Sequence, residues 1–233
     1  MAADIVGISS MATRQVLAER SGAYQQKTGR SVAIESVGGV DAARRIRTGE
    51  KFDIVVLADD TMKKLEQDGF LKPGSRATFA DSAVAVAVRS GARHPDLSDE
   101  AATKAAVLSA QSVGYSTGPS GTHVLKLLEK WGADRSASLR IIQAPPGVPV
   151  GSLVARGDAE LGFQQLSELL DVPGIDIVAA LPQEIQSLTR FSCGVCALAS
   201  NEAGARDFIS YLTSAEADGS IRRHGMEPAH PRS

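Results

Sequence analysis

Short apolar runs alternate along this chain with segments whose apolar positions return every three to four residues, the two periods of buried strands and amphipathic helices. Residues 4–8 read as a buried strand, after which Val16, Leu17, Ala23 and Tyr24 share one helical face that Gly29 ends. Residues 31–35 predict a second strand and residues 40–48 a helix closed by Gly49. Residues 52–57 predict a third strand, and Asp60 is expected to cap a helix with Met62 and Leu65 inward, stopping before Gly69.

The pattern breaks at residues 73–82 and resumes with Ala83-Val84-Ala85-Val86-Ala87-Val88, which lacks polar alternation and reads as a strand covered on both faces. A second series follows: a helix near 98–110, a strand at 112–115, and a helix at 120–132 with Val124, Leu127, Leu128 and Trp131 on one face. Then come a strand at 139–142, a Pro-rich turn, a helix at 150–155, a strand at 160–164, a short helix at 166–170 and a strand at 176–179. Residues 184–199 read as one extended segment, and helices near 202–213 and 215–224 close the chain. Such alternation predicts an α/β fold with a mainly parallel sheet.

At 233 residues the chain can form one large domain or two lobes, burying roughly three-quarters of its unfolded surface. A net charge of −2 gives no support for a nucleic-acid or membrane surface, and 4% aromatic content argues against base- or sugar-stacking platforms. No run approaches the ~20 apolar residues of a membrane span. No signal peptide precedes the first strand, so the expectation is either a cytoplasmic protein or a secreted one whose leader lies outside this sequence. Cys193 and Cys196 form a C-x-x-C without a thioredoxin-like setting; a buried, inert strand pair is expected, with a disulfide or redox role as the alternative.

Three strand-to-helix junctions end in small or hydroxyl residues: Ser9-Ser10, Ser36-Val37-Gly38-Gly39, and Ser116-Thr117-Gly118-Pro119-Ser120-Gly121-Thr122. Each would leave backbone N–H groups free at a helix start, a setting suited to an anion. Ser10 could instead cap a helix, and Gly38-Gly39 could merely make a turn. The third junction holds more hydroxyls than a cap requires. Phosphate-loop, G-x-G-x-x-G and G-x-S-x-G patterns are absent. His94, His123, His224 and His230 show no metal spacing, so no metal and no cofactor is expected. His123, just after Ser120-Gly121-Thr122, is either a donor or base, or a solvent-facing helical residue. Arg14, Arg44, Arg45 and Arg190 are candidate carboxylate partners.

The order of these pieces resembles the periplasmic molybdate-binding family, type II solute-binding proteins of ABC importers. The residues that carry the resemblance are Ser9-Ser10, Lys27-Thr28-Gly29, Gly38-Gly39, Phe52-Asp53-Ile54-Val55-Val56 with Asp59, and the Tyr115–Gly121 turn. It implies a two-lobed α/β fold of the type II periplasmic-binding-protein class, with a ligand cleft between lobes. The chain would cross near Ser82 and return near residues 186–190, so that residues 1–82 plus 187–233 form lobe 1 and residues 83–186 lobe 2. Where a molybdate binder is expected to offer a tyrosine, this chain has Gln164-Gln165, whose longer amides suit carboxylates. The stretch Glu160–Leu170 with Val172-Pro173-Gly174 resembles a divergent branch of the family that contains aconitate isomerase.

The expectation is therefore a binding protein for a small anionic metabolite, a di- or tricarboxylate rather than molybdate or another oxyanion. The alternative is an aconitate isomerase acting by a 1,3 proton shift, and a cytoplasmic ligand-sensing domain is a third reading. The expected ligand-binding residues are Ser9, Ser10, Gly38, Gly39, Ser116, Ser120, Gly121, Thr122, Val150, Gln164 and Gln165. For an isomerase, His123 and Glu168 are the candidate acid and base. The resemblance implies a monomer in the periplasm that partners an ABC importer permease and binds no nucleic acid.

Overall fold

A computed structural model describes residues 3–229; His230 lies outside them. In chain order the elements are β1 (Ile5–Ser10), α1 (Arg14–Thr28), β2 (Val32–Val37), α2 (Gly39–Arg47), β3 (Ile54–Ala58), α3 (Asp59–Gln67) and β4 (Ala77–Arg89). They continue with α4 (Glu100–Ser109), β5 (Ser112–Tyr115), α5 (Pro119–Lys130), β6 (Arg140–Gln143), α6 (Val150–Arg156), β7 (Leu161–Gln165), α7 (Leu166–Leu169) and β8 (Ile175–Ala180). The last are β9 (Leu188–Val195), α8 (Glu202–Leu212), α9 (Asp218–Arg223) and β10 (Met226–Pro228). Two compact units result, one from the residues up to Ser82 and from Thr189 on, the other from Ala83–Leu188.

In the first unit β1 lies between β2 and β3, parallel to both, and β3 pairs antiparallel with β9. Along β3 the side chains alternate: Ile54 and Val56 join Val16, Leu17, Tyr24, Phe191 and Phe208, whereas Val55 and Leu57 join Ala42, Ile46, Met62 and Leu65. The sheet thus has a core on each face, which explains the unbroken apolar run. Each large side chain so buried contributes about 1.5–3 kcal/mol. Gly7 is required by close approach, since a Cβ there would lie 2.5 Å from the Ile54 side chain.

In the second unit, β4 from Ala83 on pairs antiparallel with β7 and β8, and β5 is parallel to β6 and β7. Val84, Val86 and Val88 pack with Val113, Val124, Leu128, Trp131 and Phe163. Ala85 and Ala87 face the other way, where their small size admits Leu169. The valine–alanine alternation is thus a difference in what covers each face.

Several expectations need correction. The sheet in each unit is mixed rather than mainly parallel: β3 pairs antiparallel with β9 and β4 with β10 in the first, and β4 pairs antiparallel with β7 and β8 in the second. The strand read at 83–88 starts at Ala77: Thr78 and Asp81 look like loop residues, yet Thr78 bonds the Ala229 carbonyl and Asp81 pairs with Arg190. Asp60 is not a cap; α3 begins at Asp59 with Ala58 as its uncapped N-cap. The helix expected near 98 starts at Glu100, with Asp99 accepting from the Ala102 N–H. The segment at 184–199 starts in a 3-10 turn at Gln183–Ile185, and its strand ends at Val195. The short strand β10 carried no readable pattern in three residues.

Candidate functional site

The predicted site residues fall into two groups, one in each unit. In the first unit, β1 ends in Ser9 and Ser10 and β2 ends beside α2. Parallel register places Ser9 opposite Ser36, and their hydroxyls hydrogen-bond at 2.8 Å. Ser10 stands at the N-cap position of the 3-10 turn Met11–Thr13, but its hydroxyl caps nothing. That hydroxyl is buried and has no hydrogen-bond partner among the described residues. A buried hydroxyl without a partner costs free energy, which a bound acceptor would restore.

Gly38 is the N-cap of α2 and Gly39 its first residue, with no side-chain cap. Gly38 has φ −59°, so no left-handed turn demands a glycine there. A Cβ on Gly39 would lie 3.8 Å from the Ser10 Cβ, which places the uncapped start of α2 next to Ser10. With no side chains over them, the first α2 amides stay open to an acceptor at the positive end of the helix dipole.

In the second unit, Ser116 follows β5, and Ser120, Gly121 and Thr122 lie in the first turn of α5. Gly118 is the N-cap and Pro119 opens the helix, so Ser120 is inside the helix rather than capping it. The Ser116 and Ser120 hydroxyls are 3.0 Å apart, and Ser120 is buried. Gly121 is dictated by packing, for a Cβ there would sit 1.7 Å from the Ser116 carbonyl oxygen. Thr122 is exposed, with its hydroxyl 3.5 Å from the Gly118 carbonyl.

Val150 opens α6, and its backbone N–H donates to the Gln164 side-chain carbonyl at 2.7 Å. Gln164 and Gln165, at the end of β7, are both 2% exposed. The Gln164 amide also hydrogen-bonds the Glu168 carboxyl. The Val150 bond takes the side-chain carbonyl of Gln164 and none of its N–H donors. Burial pushes the Glu168 carboxyl up to about 7, with Gln164 opposing the shift. His123 is half-buried rather than solvent-facing, and its Nε2 lies 2.7 Å from the Ile185 carbonyl. That acceptor makes Nε2 the protonated nitrogen and leaves Nδ1 as the basic one.

Of the candidate arginines, Arg44 pairs with Asp41, Arg45 with Glu35 and Glu50, and Arg190 with Asp81 through two N–H bonds of 2.8 Å. Arg14, the exposed first residue of α1, has no described ion pair and lines a small pocket with Ser21 and Ser36. Sequence reasoning quoted Ser36 but did not place it in the binding set; the signal was its matching position at the end of the neighbouring strand. It also missed the cluster around Asp59, which accepts from Ser192 at 2.6 Å and pairs with Arg76 at 2.7 Å and Lys63 at 2.8 Å. Burial opposes ionisation there, but Lys63, Ser192 and Arg76 hold the Asp59 carboxyl below its ordinary range. Cys193 and Cys196 are free and buried, and burial pushes both thiols up to about 12, away from thiolate chemistry.

Comparison with known proteins places this geometry. The chain is 37% identical over 229 residues to the aconitate isomerase of a Pseudomonas species, covering 95% of this chain and 86% of that one. It is 27% identical over 217 residues to the molybdate-binding protein ModA of Azotobacter vinelandii, covering 87% of this chain and 81% of that protein. Among solved structures, the periplasmic molybdate-binding protein of Azotobacter vinelandii superposes with TM-score 0.77 at 24% identity, covering 98% of this chain and 100% of that one. The tungstate-binding protein TupA of Desulfovibrio alaskensis superposes with TM-score 0.71 at 14% identity, covering 97% and 99%. The fold is that of type II periplasmic binding proteins. A family model described as bacterial extracellular solute-binding protein matches residues 5–227, and the chain belongs to that family.

Proposed function

We propose that this protein binds a small di- or tricarboxylate, with Ser10 and the first amides of α2 taking a carboxylate group. The observation that carries the reading is the buried, unpartnered Ser10 hydroxyl beside the uncapped start of α2. Hydroxyl and amide donors bind a carboxylate by charge-assisted bonds without a compensating cation. Greater identity to an aconitate isomerase than to ModA supports a carboxylate over molybdate. In this reading the protein acts as a periplasmic monomer that hands its ligand to an ABC importer permease. The test is thermal: a ligand at ~100 times its Kd adds roughly 2.7 kcal/mol, raising Tm by about 5–10 °C. trans-Aconitate or citrate should give that shift and molybdate or tungstate a smaller one; the reverse order overturns the carboxylate reading.

A second reading, aconitate isomerisation, is favoured by Glu168, whose carboxyl titrates near neutrality. A base of that pKa can take a proton from the methylene carbon of trans-aconitate and return it at the far allylic carbon, moving the double bond without a redox step. Donors on the adjoining carboxylate would stabilise the charge that develops there. Incubation in deuterated buffer separates the readings. Isomerisation yields cis-aconitate and exchange at the methylene carbon by proton NMR, and simple binding yields neither.

A further inference from the structure

In the second unit, the candidate site lies where β5 and β7 end. At the opposite edge, where β5, β6 and β7 begin and β4 ends, there is a pocket of about 940 Å³. Arg89 enters it from the end of β4, Arg93 from the loop that follows, and Arg140 from the start of β6. None of the three makes an ion pair among the described residues. Most other described arginines do, as Arg76 does with Glu66, Arg30 with Asp207 and Arg190 with Asp81. Among the other described arginines, only Arg14 and Arg135 share the lack.

Two carboxylates, Glu160 and Asp96, line the same pocket, and each is held by a backbone N–H rather than by an arginine. Glu160 accepts the Gln111 N–H at 2.7 Å and Asp96 accepts the Ser98 N–H at 3.0 Å. The loop that carries Arg93 is fixed by Asp176, which accepts from the Ser90 hydroxyl and the Gly91 N–H, each at 2.9 Å. Three exposed guanidinium groups therefore line one pocket with two carboxylates, none of them in an arginine–carboxylate pair, so an entering anion meets a net positive charge. A cavity of this volume admits a small organic ligand. The guanidinium fork matches phosphate oxygens in pairs, and two phosphate groups offer oxygens enough for forks from more than one element. Ala102, Ala105 and Ala106 of α4 leave an apolar wall for the remainder of such a ligand.

We propose that this pocket is a second anion site, for a small molecule bearing a diphosphate, independent of the donors around Ser10 and Ser120. The test is calorimetric titration of the full chain with inorganic pyrophosphate and with a nucleoside diphosphate. Saturable binding of either is expected, the second tighter if the alanine wall contributes. Arg140→Ala should weaken it on the order of 10-fold, and the triple change Arg89→Ala, Arg93→Ala, Arg140→Ala ~100-fold or more, with Tm kept. Arg140→Lys should restore only part of the loss, and Ser10→Ala should leave the affinity for both probes unchanged. Absence of saturation with both probes, affinity unchanged in the triple variant, or a preference for tricarballylate or an acidic peptide over both diphosphates overturns the proposal.

Discussion

The backbone N–H of Val150 donates to the side-chain carbonyl of Gln164 at 2.7 Å, which ties the first residue of α6 to the end of β7. The same amide holds Glu168, so one side chain serves a helix start and a carboxyl of raised pKa.

Replacing Gln164 with Leu leaves the Val150 N–H buried without a partner and removes the group that supports ionised Glu168. We expect a loss of about 1–3 kcal/mol in stability by urea denaturation. If Glu168 is the base of an isomerase, the acid limb of its pH–rate profile should also move upward, since the Gln164 bond lowers its pKa. An unchanged midpoint in urea would show that water replaces the amide.

Glu168 also predicts a pH dependence of stability. Its folded pKa, about 7, lies above the ordinary value of 4.5, so the folded state binds the proton more tightly than the unfolded chain. The resulting stability is complete below about pH 4.5 and is lost as pH rises through about 7, on the order of 3 kcal/mol. Glu168→Gln keeps a neutral group at every pH. Comparing the two proteins at pH 5 and pH 8, the variant should gain relative to the parent only at the higher pH.

Ser9 and Ser10 should respond differently to removal of their hydroxyls. Ser9 is bonded to Ser36, so Ser9→Ala should cost about 0.5–1.5 kcal/mol of stability. Ser10 has no bond to lose, so Ser10→Ala should leave stability within about 0.5 kcal/mol while weakening carboxylate binding by ~1–3 kcal/mol. Affinity unchanged by the second substitution would remove Ser10 from the site.

Gly121→Ala should be among the most damaging single changes in the second unit. Its Cβ would lie 1.7 Å from the Ser116 carbonyl oxygen, and backbone on both sides must move. A loss of roughly 3 kcal/mol or more is expected, readable as a lower Tm. By contrast Gly38→Ala meets nothing within 4 Å, so its effect should fall on ligand affinity and not on folding.

Local periodicity carried much of the fold. β5 spans Ser112–Tyr115 as its apolar run indicated, and Val124, Leu127, Leu128 and Trp131 are all buried on one face of the α5 segment. Gly29, Gly49 and Gly69 stop their helices with φ of 75°, 85° and 80°, values that glycine reaches without steric cost. These features are fixed by neighbours within a few residues, where backbone geometry alone decides which side chains share a face.

Strand direction and partnership depend instead on residues far apart in the chain. Thr78 and Asp81 disguised the start of β4 because their partners, Ala229 and Arg190, are more than a hundred residues away. Hydroxyl-rich junctions were legible as helix starts, but not which hydroxyls are already bonded: Ser9 to Ser36, Ser116 to Ser120, and Ser10 to none. Gln164 shows the limit most directly. Its residue type announces two donors and an acceptor, while tertiary packing brings Val150 and Glu168 within reach and commits them, because a buried amide must be paired wherever the fold supplies a partner.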